Sequence, residues 1–113
     1  MKNKQTTIRL VYPQWQGGII NSWFPDLPEN DASRGYFLGA QILNLLAPKS
    51  SQQTVEVPVS LEIGERKTEN GITDRKAIVR QTRAALEKIN ENNPDRIVTL
   101  GGECSVSVPP FTY

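Results

Sequence analysis

Histidine is absent from this chain of 113 residues, and cysteine and methionine occur once each. Without histidine, the commonest general base and the commonest metal ligand are missing. A self-contained Ser-His-Asp or Cys-His site, or a His-based zinc site, is therefore excluded within these residues. The single cysteine, Cys104, excludes an internal disulfide framework. Neither charge sign dominates: 13 basic and 12 acidic residues leave a net charge of +1. That balance gives no electrostatic reason to expect nucleic acid or an anionic membrane as partner. The apolar runs are too short to cross a bilayer. The start, Met1-Lys2-Asn3-Lys4-Gln5, is basic but lacks a following apolar signal core, so a cytoplasmic location is expected. With 37% hydrophobic and 22% charged residues, the chain suits one small globular domain at most.

The apolar pattern alternates between strand and helix periods. Ile8 to Tyr12 reads as a strand ended by Pro13. Residues 13–30 form a long loop that holds Gly17, Gly18, Pro25 and Pro28, with Trp15, Trp23 and Phe24 expected to pin it. Asp31 or Ser33 is expected to cap a helix running to about Ala47, with Leu38, Ile42, Leu45 and Leu46 on its buried face and Pro48 stopping it. Gly35 and Gly39, one turn apart, suggest close packing of that helix on a sheet or another backbone. Thr54 to Val59 reads as a second strand, and Glu62 to Gly71 as a polar surface loop. Thr73 should cap a second helix to about Asn92, burying Ile78, Thr82, Ala85, Leu86 and Ile89. Its charges, from Arg75 to Lys88, read as a solvated surface. Asn93-Pro94 closes it. Arg96 to Leu100 is a third strand, apolar enough to be covered on both faces. A further segment follows from Ser105, with a helix entered through Pro109-Pro110. Strand, helix, strand, helix, strand implies an α/β fold with a parallel sheet and right-handed crossovers.

Ligands of such sheets bind beyond the carboxyl ends of the strands. Gly101-Gly102-Glu103-Cys104-Ser105 occupies such an end. Two glycines let the backbone turn sharply and approach a ligand. A carboxylate and a thiol next in line can coordinate a cation or handle a proton. The plain structural reading stays open beside this one: a lone cysteine near a core is often an inert small hydrophobe.

The run Pro94-Asp95-Arg96-Ile97-Val98-Thr99-Leu100-Gly101-Gly102-Glu103-Cys104-Ser105 resembles the N-terminal part of the arginase, agmatinase and formimidoylglutamase family, the ureohydrolases. There a similar strand ends in Gly-Gly-Asp-His-Ser, whose histidine binds one of two manganese ions. The resemblance implies that residues 1–113 are the N-terminal fragment of one arginase-like domain, a partial three-layer sandwich around a parallel sheet. It implies a metal-dependent hydrolase of linear amidine or guanidino C–N bonds, with a small guanidino or amidine substrate. Cys104 stands at the family histidine position and becomes the candidate metal contact. Glu103 stands at the aspartate position and becomes a group that orients the site. A thiolate suits zinc better than manganese, so zinc or no metal is also implied here. The family's Asp-Ala-His-x-Asp and Asp-x-Asp segments, which carry most of its ligands, are not among these residues. This chain alone is thus expected to be inactive. A non-catalytic arginase-like binding or assembly module is the alternative. An unrelated α/β protein cradling phosphate on Gly101-Gly102 is a third reading, without the P-loop Lys-Ser/Thr. In the complete family fold, a strand from late in the chain flanks the third strand. Without it that edge is open, so homo-oligomers through the sheet edge are expected.

Overall fold

A computed structural model describes residues 4–49 and 53–113. The basic start at Met1–Asn3 lies outside them. The elements are β1 (Thr7–Tyr12), α1 (Ile20–Trp23), α2 (Glu29–Leu46), β2 (Gln53–Glu56), β3 (Thr68–Glu69), β4 (Ile72–Thr73), α3 (Arg75–Asn92), β5 (Arg96–Gly101), a 3-10 turn at Cys104–Ser107 and α4 (Val108–Thr112). It is a small mixed α/β domain with a parallel three-stranded sheet in the order β2-β1-β5.

The central strand β1 takes its place because Ile8, Leu10, Val11 and Tyr12 are apolar and buried. Leu10 pairs with Val55 of β2 and with Thr99 of β5. The period of two along β1 aims Ile8, Leu10 and Tyr12 at α3, where they join Val55, Val57, Ala85, Ile89 and Val106 in the core. β2 ends earlier than the pattern suggested: Pro58 cannot donate, and pairing stops after the Val57 N–H donates to the Val11 carbonyl at 2.9 Å.

The opposite face departs from expectation. α2 begins at Glu29 after Pro28, whose fixed φ and carbonyl start the helix, so Asp31 and Ser33 lie inside it. The Ser33 hydroxyl donates back to the Asn30 carbonyl at 3.0 Å instead of capping. The buried residues of α2 are small or polar: Ala32, Ser33 and Ala40. Leu38, Ile42, Leu45 and Leu46 are 58%, 44%, 82% and 78% exposed. Gly35 and Gly39 are not packed either, since a Cβ at either would meet nothing within 4 Å. Three strands give α2 little to bury against; β1 presents Arg9 there, and its guanidinium donates to the Pro48 carbonyl at 2.6 Å. β5 is likewise covered unevenly on its two faces. Ile97 packs toward the core, whereas Val98, in register with Arg9, is 43% exposed.

Residues 62–71 are not wholly loop. Asn70 (φ 51°) and Gly71 (φ 79°) form a tight two-residue turn between β3 and β4, the geometry an Asn-Gly pair adopts readily. Thr73 belongs to that hairpin, and its hydroxyl lies 2.9 Å from that of Thr68. Asp74, in the left-handed region, takes the N-cap position of α3 without a side-chain cap bond. Asn93, also left-handed, ends α3 as expected. Pro109 and Pro110 sit in the first turn of α4, where a missing N–H is harmless. No helix among the described residues is long and apolar enough to cross a membrane.

Candidate functional site

At the carboxyl end of β1 the strand's inward alternation continues through polar residues. Tyr12, Gln14 and Gln16 follow Leu10 in phase, and all three are buried. Gln81 meets them from α3, one turn before Ala85 on the buried stripe.

The three amides satisfy one another. Gln81 Nε2 donates to Gln14 Oε1 at 2.9 Å and to Gln16 Oε1 at 3.0 Å. Gln81 Oε1 accepts from the Ser60 N–H at 3.0 Å and from Gln16 Nε2 at 3.3 Å. Gln14 Oε1 also accepts from the Tyr12 hydroxyl at 2.9 Å, and Gln14 Nε2 donates to Glu103 Oε1 at 2.8 Å and Ser105 Oγ at 2.6 Å. Every donor and acceptor of Gln14 and Gln81 is used, so this polar cluster carries little desolvation penalty. Burial raises the Tyr12 hydroxyl above its usual value, a hydrogen bond with Thr82 opposes that rise, and the Glu103 charge adds to it.

The glycine loop docks onto this cluster. The Gly102 N–H donates to the Tyr12 carbonyl at 3.1 Å, and the Glu103 N–H to the Gln14 carbonyl at 3.0 Å. A Cβ on Gly102 would run into that Gln14 carbonyl, so the close approach requires glycine. The Glu103 carboxylate caps the 3-10 turn by accepting from the Ser105 N–H at 2.8 Å and from the Ser105 hydroxyl. It also fills the space that a Cβ on Gly17 would take.

Glu103 and Cys104 thus part company. Glu103 is turned into the loop and committed to hydrogen bonds, while the free Cys104 thiol is exposed. Among the described residues, no group of three or more His, Cys, Asp or Glu side chains lies close enough to hold a metal ion. Among the described residues, one thiol and one engaged carboxylate do not fit a two-metal centre.

A second polar hub stands beside the cluster. Arg66 Nε meets Asp74 Oδ2 at 2.6 Å, and its Nη2 donates to the Gln16 carbonyl at 3.1 Å. Its guanidinium lies 5.2 Å from the Trp15 ring centre, and Glu29 at the start of α2 is 3.6 Å away. Trp15 is pinned further by its Nε1–H, which donates to the Ser60 carbonyl at 2.8 Å. The side chains of Trp23 and Phe24, expected to pin the loop, are exposed instead.

Sequence reasoning found the glycine loop but missed Gln14, Gln16, Gln81 and Arg66. The glutamines were signalled by phase: each falls on the buried register of its element. Arg66 carried no such signal. No protein-family model matches the chain, and no curated protein is significantly similar to it.

Proposed function

We infer that this chain is the N-terminal portion of a ureohydrolase-like, metal-dependent hydrolase of linear amidine or guanidino C–N bonds, and that by itself it is inactive. The observation that carries the reading is the position of Gly101-Gly102-Glu103-Cys104-Ser105: it leaves the end of a parallel strand paired to the central β1 and is fixed there by Gln14. The carboxyl ends of parallel strands are where such sheets bind their ligands. Cys104 faces solvent at the position of the family's ligand histidine, and Glu103 sets the loop that presents it. In the complete family, bound metal would supply an activated water for hydrolysis of the C–N bond, and of the residues here Cys104 would be the one candidate contact. No step of that chemistry follows from the donors of this chain.

A second reading, a non-catalytic arginase-like binding or assembly module, is favoured by one observation. The carboxylate of Glu103 is occupied by three hydrogen bonds from its own loop and Gln14.

Reading the native gene past the codon for Tyr113 and assaying its whole product separates the two. An in-frame Asp-Ala-His-x-Asp and Asp-x-Asp, with manganese-dependent release of urea, ammonia or amine from a guanidino or amidine compound, supports the hydrolase. A whole product that binds no metal and hydrolyses none of these compounds overturns it in favour of the module. The 113-residue chain with added manganese should release no product above manganese alone.

A further inference from the structure

We propose that residues 61–65 form a hinged flap that closes onto the first turns of α3 by attraction between opposite charges, and that ionic strength sets how often it is closed. The inference stands apart from the hydrolase reading.

The chain between β2 and β3 is fixed at two points. Ser60 is the first. Its carbonyl accepts from Trp15 Nε1 at 2.8 Å and from Gln16 Nε2 at 3.1 Å, and its N–H donates to Gln81 Oε1 at 3.0 Å. Arg66 is the second, through Asp74 at 2.6 Å and the Gln16 carbonyl at 3.1 Å. The span between them, Leu61-Glu62-Ile63-Gly64-Glu65, belongs to no helix or strand, and all of it but Ile63 is exposed. Among the described residues its one hydrogen bond runs from the Glu62 N–H to the Ser60 hydroxyl at 3.2 Å. A segment with few hydrogen bonds and little buried surface, held between firm ends, moves without unfolding its surroundings.

This flap faces charge of the opposite sign. Its residues line a cleft of about 430 Å³ together with Gln16, Ser60 and the start of α3. The flap brings Glu62 and Glu65 and no cation, whereas the helix brings Arg75, Lys76 and Arg80. The other charges of the cleft already have partners: Asp74 pairs with Arg66, and Lys67 lies 3.6 Å from Glu69. Among the described residues Glu62, Glu65, Arg75, Lys76 and Arg80 form no ion pair. Two carboxylates on a movable segment thus stand beside three unpaired cations on an 18-residue helix.

Exposed charge pairs attract weakly, so they raise the closed population by about two- to tenfold and do not lock it. Salt removes the attraction, because the screening length falls from about 30 Å at 10 mM to about 4 Å at 0.5 M. When closed, the flap covers the side of the glutamine cluster that Gln16 and Ser60 present to the cleft.

The test places a nitroxide at position 64 and reads paramagnetic relaxation of the α3 amides from Lys76 to Arg80. Gly64→Cys is suited to the label, since a Cβ there meets nothing within 4 Å, and Cys104→Ser removes the only native thiol. Relaxation should be strong at low salt and fall about two- to tenfold at high salt. E62Q/E65Q, which removes the flap's charge, should show the weak high-salt value at both salt concentrations. If E62Q/E65Q does not fold, Arg80→Gln, which removes a cation from the facing helix, should reduce the low-salt value instead. Relaxation that does not change with salt overturns the proposal, as does a low-salt value in the neutralised variant equal to that of the labelled parent.

Discussion

The two faces of the sheet are each covered by a helix of 18 residues, with opposite results. α3 meets large apolar side chains and buries Ala85 and Ile89 against Leu10 and Tyr12. α2 meets Arg9 and Val11 and leaves its leucines in water. Helix length and amphipathic pattern therefore do not fix burial; the width and composition of the opposing surface do. A helix stripe is a capacity for burial, and a three-stranded sheet fills that capacity on one side only.

The contrast can be broken most sharply on the α3 face. Leu10→Ala empties a fully buried position and should cost about 2–5 kcal/mol by chemical denaturation. A loss below about 1 kcal/mol would mean that this face is no better packed than the other. Next in size is Gln81→Leu, which leaves the Ser60 N–H and amide groups of Gln14 and Gln16 without their partner. A loss of roughly 1–3 kcal/mol is expected, with mobile Gln14 and Gln16 side-chain amide resonances.

Alkaline pH probes the same face without mutation. The native state holds the Tyr12 proton more tightly than the unfolded chain, whose hydroxyl titrates near 10.0. Stability is thus complete below that value and falls as pH rises through it toward the higher native value. Urea midpoints measured on either side of pH 10.0 should drop, and Tyr12→Phe should flatten the drop. On the α2 face, Leu45→Gln should change the stability of dilute protein by no more than about 0.5 kcal/mol. The smallest effect is expected at Cys104→His, whose melting temperature should match that of the parent chain because the replaced side chain is exposed.

Much of the fold was legible from periodicity. The order of the main strands and helices, the parallel sheet, the Asn93-Pro94 stop and the prolines opening the last helix follow from local chemistry. The Asn70-Gly71 hairpin was equally readable but was hidden within a polar stretch. The burial of α2 was not readable, because it depends on which residues of β1 face it and how many strands lie below. The glycine loop was legible as a turn at a strand end. What holds it was not: Gln14 and Gln81 lie 67 positions apart, and only the packing of α3 on β1 joins them.

The separation of Glu103 from Cys104 has an evolutionary consequence. Gly102, Glu103 and Ser105 are locked into the loop by their contacts with Gln14, so changes there are paid for in folding. Position 104 is bound by no such contact, and its side chain can drift or be selected without disturbing the fold. A laboratory library randomised at residue 104 would therefore vary the chemistry of an exposed side chain while the contacts between the loop and Gln14 stay in place.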